Sequence, residues 1–157
     1  MSNQPHHPRQ IFRTIAVGLI ISADGKVLIG KKKDGGVYPD CWHLPGGGVK
    51  KDETLKQALV REIKEETGMD LNKIKATINL IDDRGRGEHY RTTANKEKVL
   101  AKMQFMVFEV RLNLSSADIN LKPGDDLGEL HWITLDQLDK YQHTPPSVEL
   151  FKRLELI

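Results

Sequence analysis

A mixed-sheet α/β (α+β) domain is the fold class that this sequence predicts, and three observations predict it. One amphipathic helix lies mid-chain, β-branched stretches flank it on both sides, and a proline-initiated amphipathic segment closes the chain. At 157 residues the chain can enclose one real hydrophobic core, so a single domain over residues 11–157 is expected behind a disordered polar leader at 1–10.

The elements follow in order. Ile11 to Ser22 is rich in β-branched residues and ends in the turn Ala23-Asp24-Gly25, and Lys26 to Lys32 resumes as a second strand, which predicts a hairpin. Asp34-Gly35-Gly36 and Pro39 break the chain before the short Trp42-His43-Leu44 segment. Pro45-Gly46-Gly47-Gly48 then makes a loop whose bare backbone can approach something closely. Glu53 to Thr67 is the clearest helix, with Leu55, Ala58, Leu59 and Ile63 on one stripe and Gly68 as its stop. A strand is expected over Lys75–Asp82, a polar loop over Asp83–Asn95, a long strand over Val99–Arg111 and a loop over Asn113–Gly128. Glu129 to Thr134 reads as a late strand, Leu135 to Tyr141 as a short helix, and Ser147 to Leu156 as a helix after Pro146.

Bulk properties exclude more than they assign. Lysine and arginine total 24 against 22 acidic residues, so no global field marks a nucleic-acid binder. Cys41 is the only cysteine, so no intrachain disulfide can form, which fits a reducing, cytoplasmic setting. The first ten residues lack the apolar core of a signal peptide, and the longest apolar run, Ile15 to Ile21, is too short to span a membrane. His6 and His7 offer at most weak metal binding within a polar leader.

The chemistry concentrates between Gly47 and Met69. Arg61, Glu62, Glu65 and Glu66 gather on one side of the helix, away from much of the leucine stripe. Three carboxylates there stand at the helix C-terminus, where the carbonyl dipoles are already negative. Two carboxylates ~4 Å apart repel by about 4 kcal/mol at an effective dielectric of ~20, so positive charge belongs among them. Lys64 and Arg61 could supply it at a solvated helix end. A divalent cation is the sharper alternative, and hard oxygen ligands suit magnesium or manganese.

The same stretch matches, position for position, the Nudix box G-x5-E-x7-R-E-U-x-E-E-x-G-U, where U is bulky and aliphatic, at Gly47, Glu53, Arg61, Glu62, Ile63, Glu65, Glu66, Gly68 and Met69. Its seven fixed positions would coincide by chance in fewer than ~1 in 10^8 windows. Trp42-His43-Leu44-Pro45-Gly46-Gly47 and Glu129-Leu130-His131-Trp132 also resemble that family's lead-in and late strand. The chain is thus similar to the Nudix (MutT-like) hydrolases, and the resemblance implies an α/β/α sandwich around a mixed sheet. It also implies Mg2+-dependent hydrolysis (Mn2+ a possible substitute) of a nucleoside diphosphate linked to another group. Glu62, Glu65, Glu66 and the backbone carbonyl of Gly47 or Gly46 would hold the metal. Glu62 is also a candidate base, Arg61 would orient a helix carboxylate, and Glu53 would support the site. In some members the base or a further ligand lies before the late strand, which points to Asp126, with Asp125 as the alternative. Two departures are Lys50, where many members carry glutamate, and Asp52, where they usually carry glycine.

The substrate is less legible. The proline that follows the box in ADP-ribose hydrolases is absent, since that region reads Ile81-Asp82-Asp83-Arg84-Gly85. Pro145-Pro146-Ser147-Val148 resembles the tail of members that sanitise oxidised guanine nucleotides, without their purine-reading asparagine. Arg84, Arg86, Arg91 and Lys31 are the leading phosphate-binding candidates, with Lys32 and Lys33 behind them. Trp42, Tyr90 or Phe105 could stack a base or pack in the core. A nucleoside triphosphate or a nucleotide sugar is the expected substrate class. The competing class is a Nudix-fold binding module that senses a nucleotide or a protein without cleaving it; such modules commonly lose box glutamates, and all are kept here. Homodimerisation stays open.

Overall fold

The structure, a computed structural model, describes residues 7–34 and 36–157. Strand β1 (Arg9–Ile21) runs parallel to β6 (Lys98–Leu112) over its full length, and β6 pairs antiparallel with β5 (Ala76–Thr92). On its other edge β1 is held by the short β4 (Gly46–Gly48) at Ile15 to Val17, and by β2 (Lys26–Lys32) only at Ile21. Strand β2 carries β3 (Trp42–His43) and β7 (Leu127–Thr134). The result is one seven-stranded mixed sheet.

Alternation along β1 sends its two side-chain sets to two separate cores. Ala16 and Ile20 meet Ala58, Leu59 and Ile63 of helix α1 (Leu55–Thr67), together with Leu28, Phe108 and Val110. Leu19 and Ile21 meet Leu150 and Phe151 of helix α2 (Pro145–Arg153), together with Val27, Trp42 and Ile133. The sheet therefore lies between helices as an α/β/α sandwich. Gly18 sits under α1, where an added Cβ would stand 3.2 Å from Ile63 Cδ1.

Helix α1 is bounded by two local signals. Thr54 and Gln57 form a capping box, and Gly68 closes the C-terminus in the left-handed region at φ 77°. The short segment after β7, Leu135–Lys140, is a 3-10 helix capped by Thr134.

Two expectations are corrected. The loop expected over Asp83–Asn95 is mostly strand, since β5 continues to Thr92 through register shifts at Leu80/Asp82 and Asp82/Gly85. The bulged segment is pinned by Asp82, whose buried carboxylate takes Arg153 Nε at 3.2 Å, Arg153 Nη2 at 2.8 Å and Arg84 Nε at 3.0 Å. Of the expected leader, Arg9 and Gln10 already belong to β1, opposite Val99 and Leu100; residues 1–6, His6 included, lie outside the described residues. Among the described residues no helix is long and apolar enough to cross a membrane.

Candidate active site

The last carbonyls of α1 need partners, and the loop ahead of β7 supplies them. Lys122 N donates to Thr67 O at 2.9 Å, and Gly124 N donates to Glu66 O at 3.1 Å. Only glycine fits at 124, where a Cβ would lie 2.5 Å from Glu65 O. This docking brings Asp125, in the left-handed region at φ 54°, to the acidic end of the helix. Ligand-type oxygens of Glu62, Glu65 and Asp125 all lie within 4.8 Å of one another. Three carboxylates at that separation, at a helix C-terminus, could hold a hard divalent cation.

Arg61 organises the cluster from beneath. It donates to both oxygens of Glu53 (Nε to Oε2, 2.7 Å; Nη2 to Oε1, 2.8 Å), to Glu62 Oε1 at 2.8 Å, to Glu65 Oε2 at 3.4 Å and to Gly48 O at 3.0 Å. The bidentate bond from Arg61, with help from Lys50 N, holds the Glu53 carboxyl down to about 2. Lys50 thus contributes its backbone N–H to Glu53, while its side chain stays exposed. Asp52 adopts φ 65°, which accounts for the glycine usual there, and aspartate is among the few residues that tolerate it.

Glu66 behaves differently from its neighbours. Its carboxylate is buried at 4% exposure, accepts Gly46 N–H at 2.8 Å and lies outside the three-carboxylate cluster. Burial pushes its pKa up to about 8, against the opposing Gly46 hydrogen bond, with Glu62 and Asp126 adding to the rise. Glu62 is half-buried and is also raised, mainly by burial, with Arg61 opposing. Gly47 lies directly against Glu62, since a Cβ there would fall 2.4 Å from its Cδ.

A cavity of about 550 Å³ opens beside this cluster, on the α2 side of the sheet. Glu62, Glu66, Asp125 and Asp126 form one rim. Its apolar lining comes from Ile15, Val17, Met103, Phe105 and Val107, and Gly85 and Gly87 leave room for the Phe105 ring, whose Cδ2 and Cε2 would stand 3.4 Å and 3.1 Å from a Cβ added at each. Arg13, Lys32, Arg91 and Arg153 bring positive charge to its walls, with His43 and His89 among them.

The sequence candidates are sorted by this geometry. Asp125 rather than Asp126 joins Glu62 and Glu65; the Asp126 carboxylate pairs with Lys32 Nζ at 3.5 Å at the cavity rim. Of the four leading phosphate candidates only Arg91 lines the cavity. Arg84 is bonded to Asp82, Arg86 Nη1 donates to Asp83 O at 2.8 Å, and Lys31 Nζ lies over the Trp42 ring, 5.7 Å from its centroid. Lys32 faces the cavity instead of Lys31. Trp42 is core, Tyr90 is exposed, and Phe105 alone of the three aromatics faces the cavity. Arg13 was not among the candidates, although its in-phase spacing with Ile11, Ile15 and Val17 placed a charge on an inward strand face.

The family model for the NUDIX domain matches residues 12–154. The chain belongs to the Nudix family. This Nudix hydrolase is 34% identical over 128 residues to an ADP-ribose pyrophosphatase of Methanocaldococcus jannaschii, covering 80% of this chain and 64% of that one, so it spans just under two thirds of that relative. It is 31% identical over 129 residues to the nucleoside triphosphatase NudI of Escherichia coli, covering 82% and 86% of the two chains. Its fold superposes on the MutT protein of Methanosarcina mazei with a TM-score of 0.58 at 23% identity, covering 96% of each chain.

Proposed function

We propose that this Nudix hydrolase cleaves a phosphoric anhydride of a nucleotide by water attack, with Mg2+ held by Glu62, Glu65 and Asp125. The observation that carries the reading is the convergence of those carboxylates, two of which, Glu62 and Asp125, line a cavity that also presents Arg13, Lys32 and Arg91. When bound, a divalent cation supplies charge neutralisation for phosphate oxygens, and Mn2+ suits the same oxygen donors.

The chain's own residues do the rest. Arg61 is a positioning residue: its bonds to Glu53, Glu62 and Glu65 fix the carboxylates before substrate arrives. Water adds to one phosphorus, the bridging P–O bond breaks with its electron pair leaving on the departing phosphate, and the water's proton passes to a carboxylate. Glu62 is the proposed acceptor, because Arg61 engages its Oε1 and leaves Oε2 without a hydrogen bond among the described residues. The apolar lining with Phe105 suits a base or a sugar face, and Arg91, Lys32 and Arg13 suit phosphates. The named activities of the two relatives support a nucleoside triphosphate or a nucleoside diphosphate sugar as substrate. The lone Cys41 supports work in a reducing compartment such as the cytoplasm.

The test is release of phosphate or pyrophosphate from a panel of nucleotides and nucleotide sugars, with magnesium, by wild type and Glu65→Gln. Turnover that needs magnesium and falls at least ~100-fold in the variant is the expected result. Tight nucleotide binding with no turnover by wild type across the panel would replace this reading with a non-catalytic binding module.

A further inference from the structure

Resting on that hydrolase reading, we propose that Arg13 and Arg91, with His89 beside them, form an anion subsite for a third phosphate. The enzyme then prefers a nucleoside triphosphate to a nucleoside diphosphate joined to an uncharged group.

Register places these residues on one face of the sheet. Arg13 pairs with Met103, which pairs with Gly87; His89 pairs with Ala101 and Arg91 with Val99, in successive two-residue steps on one face of three adjacent strands. All three line the cavity that carries Glu62 and Glu66 on its rim. Gly48 makes the room: a Cβ there would lie 2.3 Å from Arg13 Nη2, just as a Cβ at Gly47 would strike Glu62. These adjacent glycines mark the boundary between the acidic rim and the basic wall.

What singles the pair out is the lack of a bonded carboxylate. Arg61, Arg84 and Arg153 are each bonded to carboxylates. Among the described residues neither Arg13 nor Arg91 has a side-chain hydrogen bond or ion pair, although both face the same cavity. Arg91 is exposed at the cavity mouth, whereas Arg13 is part-buried, and its charged form is opposed first by burial and then by Arg91, with Glu62 offsetting part of this. The Nδ1 of His89 is buried and unbonded, and beyond burial its charged form is opposed by Arg91, Arg13 and Lys32. Two guanidinium forks and a ring N–H, preassembled against mutual repulsion, match a phosphate dianion. A neutral sugar gains nothing from them.

The test compares binding of inorganic pyrophosphate and inorganic tripolyphosphate, with magnesium, by calorimetry. Variants are Arg13→Gln, Arg91→Gln, Arg13→Lys and the exposed-charge control Lys140→Gln. Wild type and Lys140→Gln should bind tripolyphosphate about tenfold more tightly than pyrophosphate, and each glutamine variant should lose that preference, with lysine restoring part of it. In parallel, kcat/KM for a nucleoside triphosphate should fall about tenfold in the glutamine variants, while that for ADP-ribose changes less than about threefold. An unchanged tripolyphosphate preference in Arg13→Gln and Arg91→Gln, or equal losses on both substrates, would overturn the subsite. A wild type that shows the binding preference but hydrolyses nothing would sink the hydrolase reading and leave the subsite standing.

Discussion

Arg61 and Arg13 stand on either side of β4 and meet opposite fates. Arg61 is saturated: its guanidinium bonds three carboxylates and Gly48 O. Arg13 stacks past Gly48 with no partner among the described residues, facing a cavity. The saturated arginine fixes geometry and is satisfied before any ligand arrives. The other keeps its guanidinium free for the ligand proposed above, so bonding state, more than residue type, is the basis for separating positioning from binding.

The acidic side is broken most sharply at its third member. Asp125→Asn should lower turnover about a hundredfold in the magnesium assay, whereas Asp126→Asn should lower it only a few-fold, because Asp126 engages Lys32 outside the cluster. Equal losses in the two variants would show that the loop shifts on binding and that the resting geometry misassigns the ligand.

Next in size comes the clamp. Arg61→Ala removes the cation from among Glu53, Glu62 and Glu65, and with 22% of its side chain exposed the cost is about 2 kcal/mol in denaturant unfolding. Arg61→Lys should keep the charge, lose the bidentate fork to Glu53 and recover about half. Added magnesium should then stabilise Arg61→Ala more than wild type, because a second source of positive charge enters the same carboxylates. Unfolding curves for both variants that overlay wild type would demote Arg61 to an ordinary surface arginine.

How much of this was legible in the sequence follows from where the signals lie. Helix α1 was readable because its apolar stripe and terminal glycine agree, while its expected start at Glu53 falls early because the Thr54/Gln57 capping box opens the helix at Leu55. The outer half of β5 was not: one face carries Arg86, Glu88 and Tyr90 to solvent and the other carries Gly85, His89 and Arg91 to a cavity, with Gly87 against Phe105. Neither face is apolar, so the period-two pattern vanishes and the glycines read as loop. Asp125 and Asp126 are neighbours of the same type, and only the left-handed backbone at Asp125, imposed by docking on the helix end, decides which joins the glutamates. Arg13 was hidden in a strand whose other residues announce a core.

The finest contrast is between two glutamates one residue apart on the same helix. Glu65 is exposed at the cluster, while Glu66 is buried and raised to about 8 from an ordinary value of 4.5. A carboxyl whose folded pKa exceeds its unfolded one binds more protons when folded, so this group's contribution to stability is greatest below about 4.5 and declines as pH rises towards 8. Glu66→Gln keeps an acceptor for Gly46 N–H and carries no charge. Metal-free stabilities of variant and wild type should therefore coincide near pH 5 and diverge with rising pH. The variant should lead by about 1 kcal/mol near pH 8, after the relaxation available at a cavity rim. Magnesium should narrow that gap by favouring the ionised carboxylates of the wild type. A gap that is constant from pH 5 to 8 would mean that Glu66 titrates normally. The contrast between the exposed and the buried glutamate would then be one of packing, not of charge.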